Sequence, residues 1–122
     1  MHVDHIALRV TDLDAERAFY EETLGLEYDD EFEIGGVRNV MVSGEDGMGY
    51  QFQYDPDDES PVEPSGIDHV AVVVDDLDAA LDAVEADGHP LLRGPIESDD
   101  LSLRVAFVED PEGYAVELVE RR

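Results

Sequence analysis

VDHIALRVTDL at residues 3–13 and IDHVAVVVDDL at residues 67–77 are two versions of one phrase, offset by 64 residues. That offset is too long for a stacked solenoid repeat and suits two copies of one small α+β unit. His5 and His69 hold the same place in the two copies, each opening an alternating apolar run. Two units that each offer a histidine from the first strand imply a site to which both contribute.

Outward from the phrase, each half reads β-α-β-β-β. In Val3–Val10 the residues Ile6, Leu8 and Val10 make one apolar face, while His5, Ala7 and Arg9 share the other. Asp12 offers an N-cap to a helix marked by Leu13, Ala15, Ala18, Phe19 and Leu24 and closed by Gly25. Strands are expected near Glu27–Ile34, Val37–Ser43 and Met48–Tyr54, separated by Gly35-Gly36 and Gly44–Gly47. The stretch DPDDESPVEPS at 55–65 has three prolines, five acids and no periodicity, and reads as a solvated linker. The second half repeats the order. His69, Ala71 and Val73 line one face; Asp76 caps a helix carrying Leu77, Ala80, Leu81 and Val84; strands follow near Leu91–Ile96, Leu103–Glu109 and Tyr114–Glu120. The expected organisation is one α+β domain of two tandem βαβββ modules, module one at 1–54 and module two at 66–122, with the linker between them.

Charge excludes several classes of partner. Thirty-three acidic residues face seven basic ones, all arginine, for a formal net charge of −26. Nucleic acid would meet a field of its own sign. With 43% apolar residues the chain is too hydrophobic to be disordered, and its longest apolar run, Val70–Val74, is too short to span a bilayer. A soluble, cytoplasmic protein is the expectation. The composition resembles that of proteins from salt-loving archaea, where molar salt shortens the screening length to roughly 3 Å and makes such self-repulsion tolerable. There is no cysteine, so a metal would have to sit on His, Asp, Glu or amide oxygen.

The closing strand of each module alternates as well. Tyr50, Phe52 and Tyr54 leave Gln51 and Gln53 on the opposite face; Tyr114, Val116 and Leu118 leave Ala115, Glu117 and Val119. A lone half-buried histidine is ordinary, and Glu117 alone would be one acid among 33. A histidine that recurs, with an acid on the equivalent closing strand, points instead to metal. His5, Gln51 or Gln53, His69 and Glu117 form a mixed nitrogen and oxygen set suited to Zn, Ni, Co, Mn or Fe.

The segments HIALRVTDLDAERAFYEETLGLEY and VAFVEDPEGYAVELVE resemble the opening and the end of glyoxalase I, and the chain from His5 to Glu120 is identified as a member of the vicinal oxygen chelate superfamily. That resemblance implies a glyoxalase-like fold with metal ligands at His5, at the glutamine of the first closing strand, at His69 and at Glu117. The internal offset of 64 selects Gln53, whereas alignment of YQF with VEL selects Gln51, which we prefer. The implied function is a metal-dependent lyase or isomerase of the lactoylglutathione lyase type. Glu117 would be the catalytic base in proton transfer through an enediolate of a 2-oxoaldehyde–thiol adduct, and Arg9 would bind the thiol's carboxylate. Two departures accompany it: bacterial glyoxalase I usually has glutamate where Gln51 stands, as epimerases do not, and often asparagine where Asp55 stands. The alternatives are a methylmalonyl-CoA epimerase-like enzyme, an extradiol dioxygenase using His5, His69 and Glu117 on iron, or a metal-free drug binder. Modules of this family pair within or between chains, so a homodimer acting on a small molecule is expected.

Overall fold

The computed structural model describes residues 1–45 and 47–122. The chain divides into two compact units, Met1–Val62 and Glu63–Arg122, and their boundary falls within the proline-rich linker.

In the first unit the order is β1 (His5–Arg9), α1 (Leu13–Arg17), β2 (Glu27–Ile34), β3 (Val37–Ser43) and β4 (Gly49–Tyr54). The strands form a mixed sheet in the order β1-β4-β3-β2, with β1 parallel to β4 and the other pairs antiparallel. The second unit repeats this with β5 (Val70–Val73), α2 (Leu77–Ala86), β6 (Leu91–Ser98), β7 (Leu103–Glu109) and β8 (Ala115–Arg121), in the order β5-β8-β7-β6. The α+β class and the tandem βαβββ order are those the repeated phrase implies.

Both helices begin where the sequence places them. The Asp12 carboxylate accepts a hydrogen bond from the Ala15 amide at 3.1 Å, and Asp76 does the same for Ala79 at 3.1 Å, each satisfying an amide that the first helical turn leaves without a partner. Gly25 and Gly88 follow the helix ends at φ of +85° and +83°, a conformation that a Cβ disfavours. The first helix departs from expectation. It is α-helical only over Leu13–Arg17 and continues as a π-helical stretch over Ala18–Thr23, with the Leu24 amide bonded back to the Phe19 carbonyl at 3.0 Å. The wider turn accompanies two consecutive large aromatics, Phe19 and Tyr20, that are both fully buried.

Alternation sorts each sheet into two faces. In the first unit, Tyr20 lies against Tyr50 and Phe52 with ring centroids 5.3 Å apart in each case, so the helix covers the face that also holds Leu8, Val10, Val40 and Val42. The second core comprises Val70, Val72, Leu77, Leu81, Val84, Val108, Val116 and Leu118. Burying each such side chain is worth roughly 1.5–3 kcal/mol, which must offset the entropy of ordering the chain. The opposite faces carry the polar residues of interest. No helix among the described residues is long and apolar enough to cross a membrane.

Candidate metal centre

Register fixes which residues correspond between the modules. In the first sheet Ala7 of β1 pairs with Gln51 of β4; in the second, Ala71 of β5 pairs with Glu117 of β8. Each alanine stands two residues after a histidine, so His5 is to Gln51 as His69 is to Glu117. Gln53 pairs with Arg9, one step further along, and is exposed, whereas Gln51 is buried. Ala7 and Ala71 are both exposed, leaving the helix-free face of each sheet open beside its histidine.

Each donor has one end committed. The Nδ1 of His5 lies 2.7 Å from Asp4 Oδ2, and the Nδ1 of His69 lies 2.7 Å from Asp68 Oδ2. A carboxylate at Nδ1 draws the ring proton there and leaves Nε2 as the basic nitrogen. Asp4 in turn is held below the usual carboxylate range by its hydrogen bond and its charge interaction with His5. The Nε2 of His69 meets Glu117 Oε2 at 3.2 Å, and the Phe107 ring stands edge-on to the imidazole at 5.4 Å. Gln51 donates from Nε2 to Asn39 Oδ1 at 2.7 Å, which leaves the amide oxygen as the atom it has to offer.

Each module thus offers one Nε2 and one oxygen donor, an amide oxygen in the first and a carboxylate in the second, of the kinds that divalent transition metals take. Among the described residues no group of three or more His, Cys, Asp or Glu side chains gathers within reach of one ion. Neither pair is a complete site by itself.

Arg9 lies on the His5 face and reaches into the linker. Its guanidinium contacts Asp58 Oδ2 at 3.2 Å and donates to the carbonyls of Asp58, Ser60 and Pro61 at 3.3, 2.7 and 3.5 Å. The Asp58 carboxyl is pushed below the usual range, first by the Ser60 amide and also by the Arg9 charge. Nothing in the linker's composition marks this clamp. Asn39 is a second residue that sequence reading passed over, because it has no counterpart in the repeat. A shallow hollow of about 350 Å³ beside α1, lined by Asp14, Arg17, Ala18, Glu21 and Glu22, contains none of the donors, and its Arg17 is already paired with Glu21 at 2.6 Å.

Residues 2–118 match the Glyoxalase/Bleomycin resistance protein/Dioxygenase superfamily, and the chain belongs to that family. Among named relatives, the lactoylglutathione lyase of Haemophilus influenzae is 32% identical over a 133-residue alignment covering 100% of this chain and 94% of that protein. In structure the chain is similar to the trypanothione-dependent glyoxalase I of Leishmania major, with a TM-score of 0.84 at 23% identity over 98% of this chain and 86% of that one. It is also similar to TnmS3, an antibiotic-binding protein from Streptomyces, with a TM-score of 0.74 at 23% identity over 100% and 97% of the two chains. At those identities the structural likeness establishes a glyoxalase-like fold, a fold that carries both enzymes and binders.

Proposed function

We propose that this protein is a metal-dependent, glyoxalase I-like lyase acting on the adduct of a 2-oxoaldehyde with a thiol. The observation that carries the reading is the shared register of Gln51 and Glu117, each paired with an alanine two residues after a histidine whose Nδ1 is committed to a carboxylate. In this reading the Nε2 atoms of His5 and His69, the Gln51 oxygen and the Glu117 carboxylate hold one divalent cation of the Zn, Ni, Co, Mn or Fe type. When bound, the cation supplies the electrophilic pull that acidifies a C–H next to a carbonyl.

The protein's own residues do the rest. Glu117 takes the proton from the hemithioacetal carbon and returns it to the neighbouring former carbonyl carbon, giving a 2-hydroxyacyl thioester. Of the four donors, Glu117 is the carboxylate, and an amide such as that of Gln51 does not accept a proton at neutral pH. The two imidazoles act as neutral ligands whose second nitrogens are engaged elsewhere. Arg9 is the group proposed for the thiol's carboxylate, which would replace Asp58 on its guanidinium.

One observation favours a second member of the same reaction type. A glutamine at the first closing-strand position is the pattern that resembles methylmalonyl-CoA epimerases, where proton removal and return occur at one carbon. A cytoplasmic homodimer completes the proposal. Metal content measured on protein purified in molar KCl, followed by assay with methylglyoxal and a panel of thiols and with a 2-methyl acyl thioester, separates these activities. Protein that takes up no divalent ion and turns over neither substrate would leave a small-molecule binder.

A further inference from the structure

The first module uses an amide where the second uses a carboxylate, and the two pose different problems. Both oxygens of a carboxylate are equivalent, so Glu117 presents a donor whichever way it turns. An amide has a wrong end: rotated by half a turn, Gln51 would point an NH2 group at a cation. The structure contains a device against that rotation. The Val37 carbonyl oxygen accepts hydrogen bonds and donates none, and it receives the Asn39 Nδ2 group at 3.1 Å. Asn39 must therefore turn its Oδ1 the other way, where it receives Gln51 Nε2 at 2.7 Å. Polarity passes from a backbone atom that cannot be reversed, through one amide, to the next.

Burial enforces the arrangement. Asn39 is 4% exposed and Gln51 9%, so neither amide finds water as an alternative partner without cost. The second module lacks the device. Met41 pairs with Gln51 as Phe107 pairs with Glu117, which makes Val105 the counterpart of Asn39. A polar neighbour stands where the donor has a wrong end, and a valine where it has none.

We infer that Asn39 is a positioning residue that fixes the Gln51 amide with its oxygen as the free end, and so sets what Gln51 contributes to the proposed cation site. The inference rests on the proposed metal site and concerns a residue outside the ligand set.

The test is a four-protein cycle of wild type, Asn39→Leu, Gln51→Glu and the double variant, with the Zn²⁺ dissociation constant measured by chelator competition in molar KCl. Side-chain ¹⁵N resonances of Gln51 give a second readout that needs no metal. Asn39→Leu is expected to weaken Zn²⁺ binding by roughly tenfold in the glutamine background and to cause no loss in the Gln51→Glu background, where the pinned Asn39 Oδ1 faces a carboxylate oxygen that it cannot bond. The Gln51 amide protons should also lose their protection from exchange. Far-ultraviolet circular dichroism of each variant guards against a fold lost in the leucine variant. Equal losses in both backgrounds, or none in either, would overturn the orientation. Absence of Zn²⁺ binding by the wild type, with the amide protection intact, would instead overturn the ligand assignment of Gln51.

Discussion

Glu117 Oε2 sits 3.2 Å from Nε2 of His69, so the carboxylate proposed as base and a nitrogen proposed as ligand already touch. Glu117→Gln replaces one oxygen of the pair by a nitrogen and keeps the other. Turnover of the methylglyoxal–thiol adduct, assayed at saturating metal, should fall by roughly 10²–10⁴. Undiminished turnover would remove Glu117 from the chemistry.

The Asp68–His69 contact of 2.7 Å is expected to matter through the ring it orients. Asp68→Ala should lower divalent-metal affinity by roughly tenfold, toward the weak end of such effects because the carboxylate is exposed. His69→Ala should cost far more. Equilibrium dialysis on the two variants ranks them, and equal affinities would deny the imidazole its role as ligand.

Arg9 and Asp58 predict how the linker behaves with pH. The Asp58 carboxyl is held below its ordinary range in the folded protein, so its contribution is fully present above the unfolded-state value and is lost only as pH falls through the depressed folded value. Proteolysis between residues 55 and 65 should therefore be insensitive to pH from about 5 to 8 on this account. Arg9→Ala should speed that cleavage and, for a carboxylate-bearing thiol, raise KM more than it lowers kcat. A change in neither would leave Arg9 without the proposed contacts.

A net charge of −26 on 122 residues leads us to expect a melting temperature that climbs steeply between dilute and molar KCl. Calorimetry across that range settles it. A flat response would mean that specific contacts outweigh the summed repulsion.

Asp76 gives a check on local structure alone. Its carboxylate accepts from the Ala79 amide, and Asp76→Ala should cost about 1 kcal/mol of stability in chemical denaturation. Metal affinity should be unaffected.

Most of the scaffold was legible because apolar alternation and cap residues are local signals: Glu27–Ile34, Val37–Ser43 and Leu103–Glu109 fall where the pattern puts them. The π-helical turn was not legible, since it accompanies the burial of both Phe19 and Tyr20, and Tyr20 lies against Tyr50 and Phe52 of β4, far away in sequence. Alignment of YQF with VEL already preferred Gln51 to Gln53, and the strand register agrees with that preference. Counting residues between repeats gave Gln53, because the connections ahead of the closing strands differ in length by two, whereas pairing with Ala7 and Ala71 gives Gln51. Asn39 and the Arg9 clamp carry no periodicity at all. They become visible only when side chains from separate segments are brought together.

Strand β2 stands at the end of its sheet with every residue exposed, and five of its eight side chains are Glu or Asp. Such a row discourages a neighbouring molecule from adding a strand. Paired strands lie about 4.8 Å apart, however, and in molar salt charge is felt over only about 3 Å. The conditions that relax the protein's internal repulsion also mute this guard, and the irregular register between Tyr28 and Asp30 is then left to spoil a straight docking edge. Concentrated brine would thus trade one colloidal hazard for another at this edge, where the kink becomes the remaining deterrent.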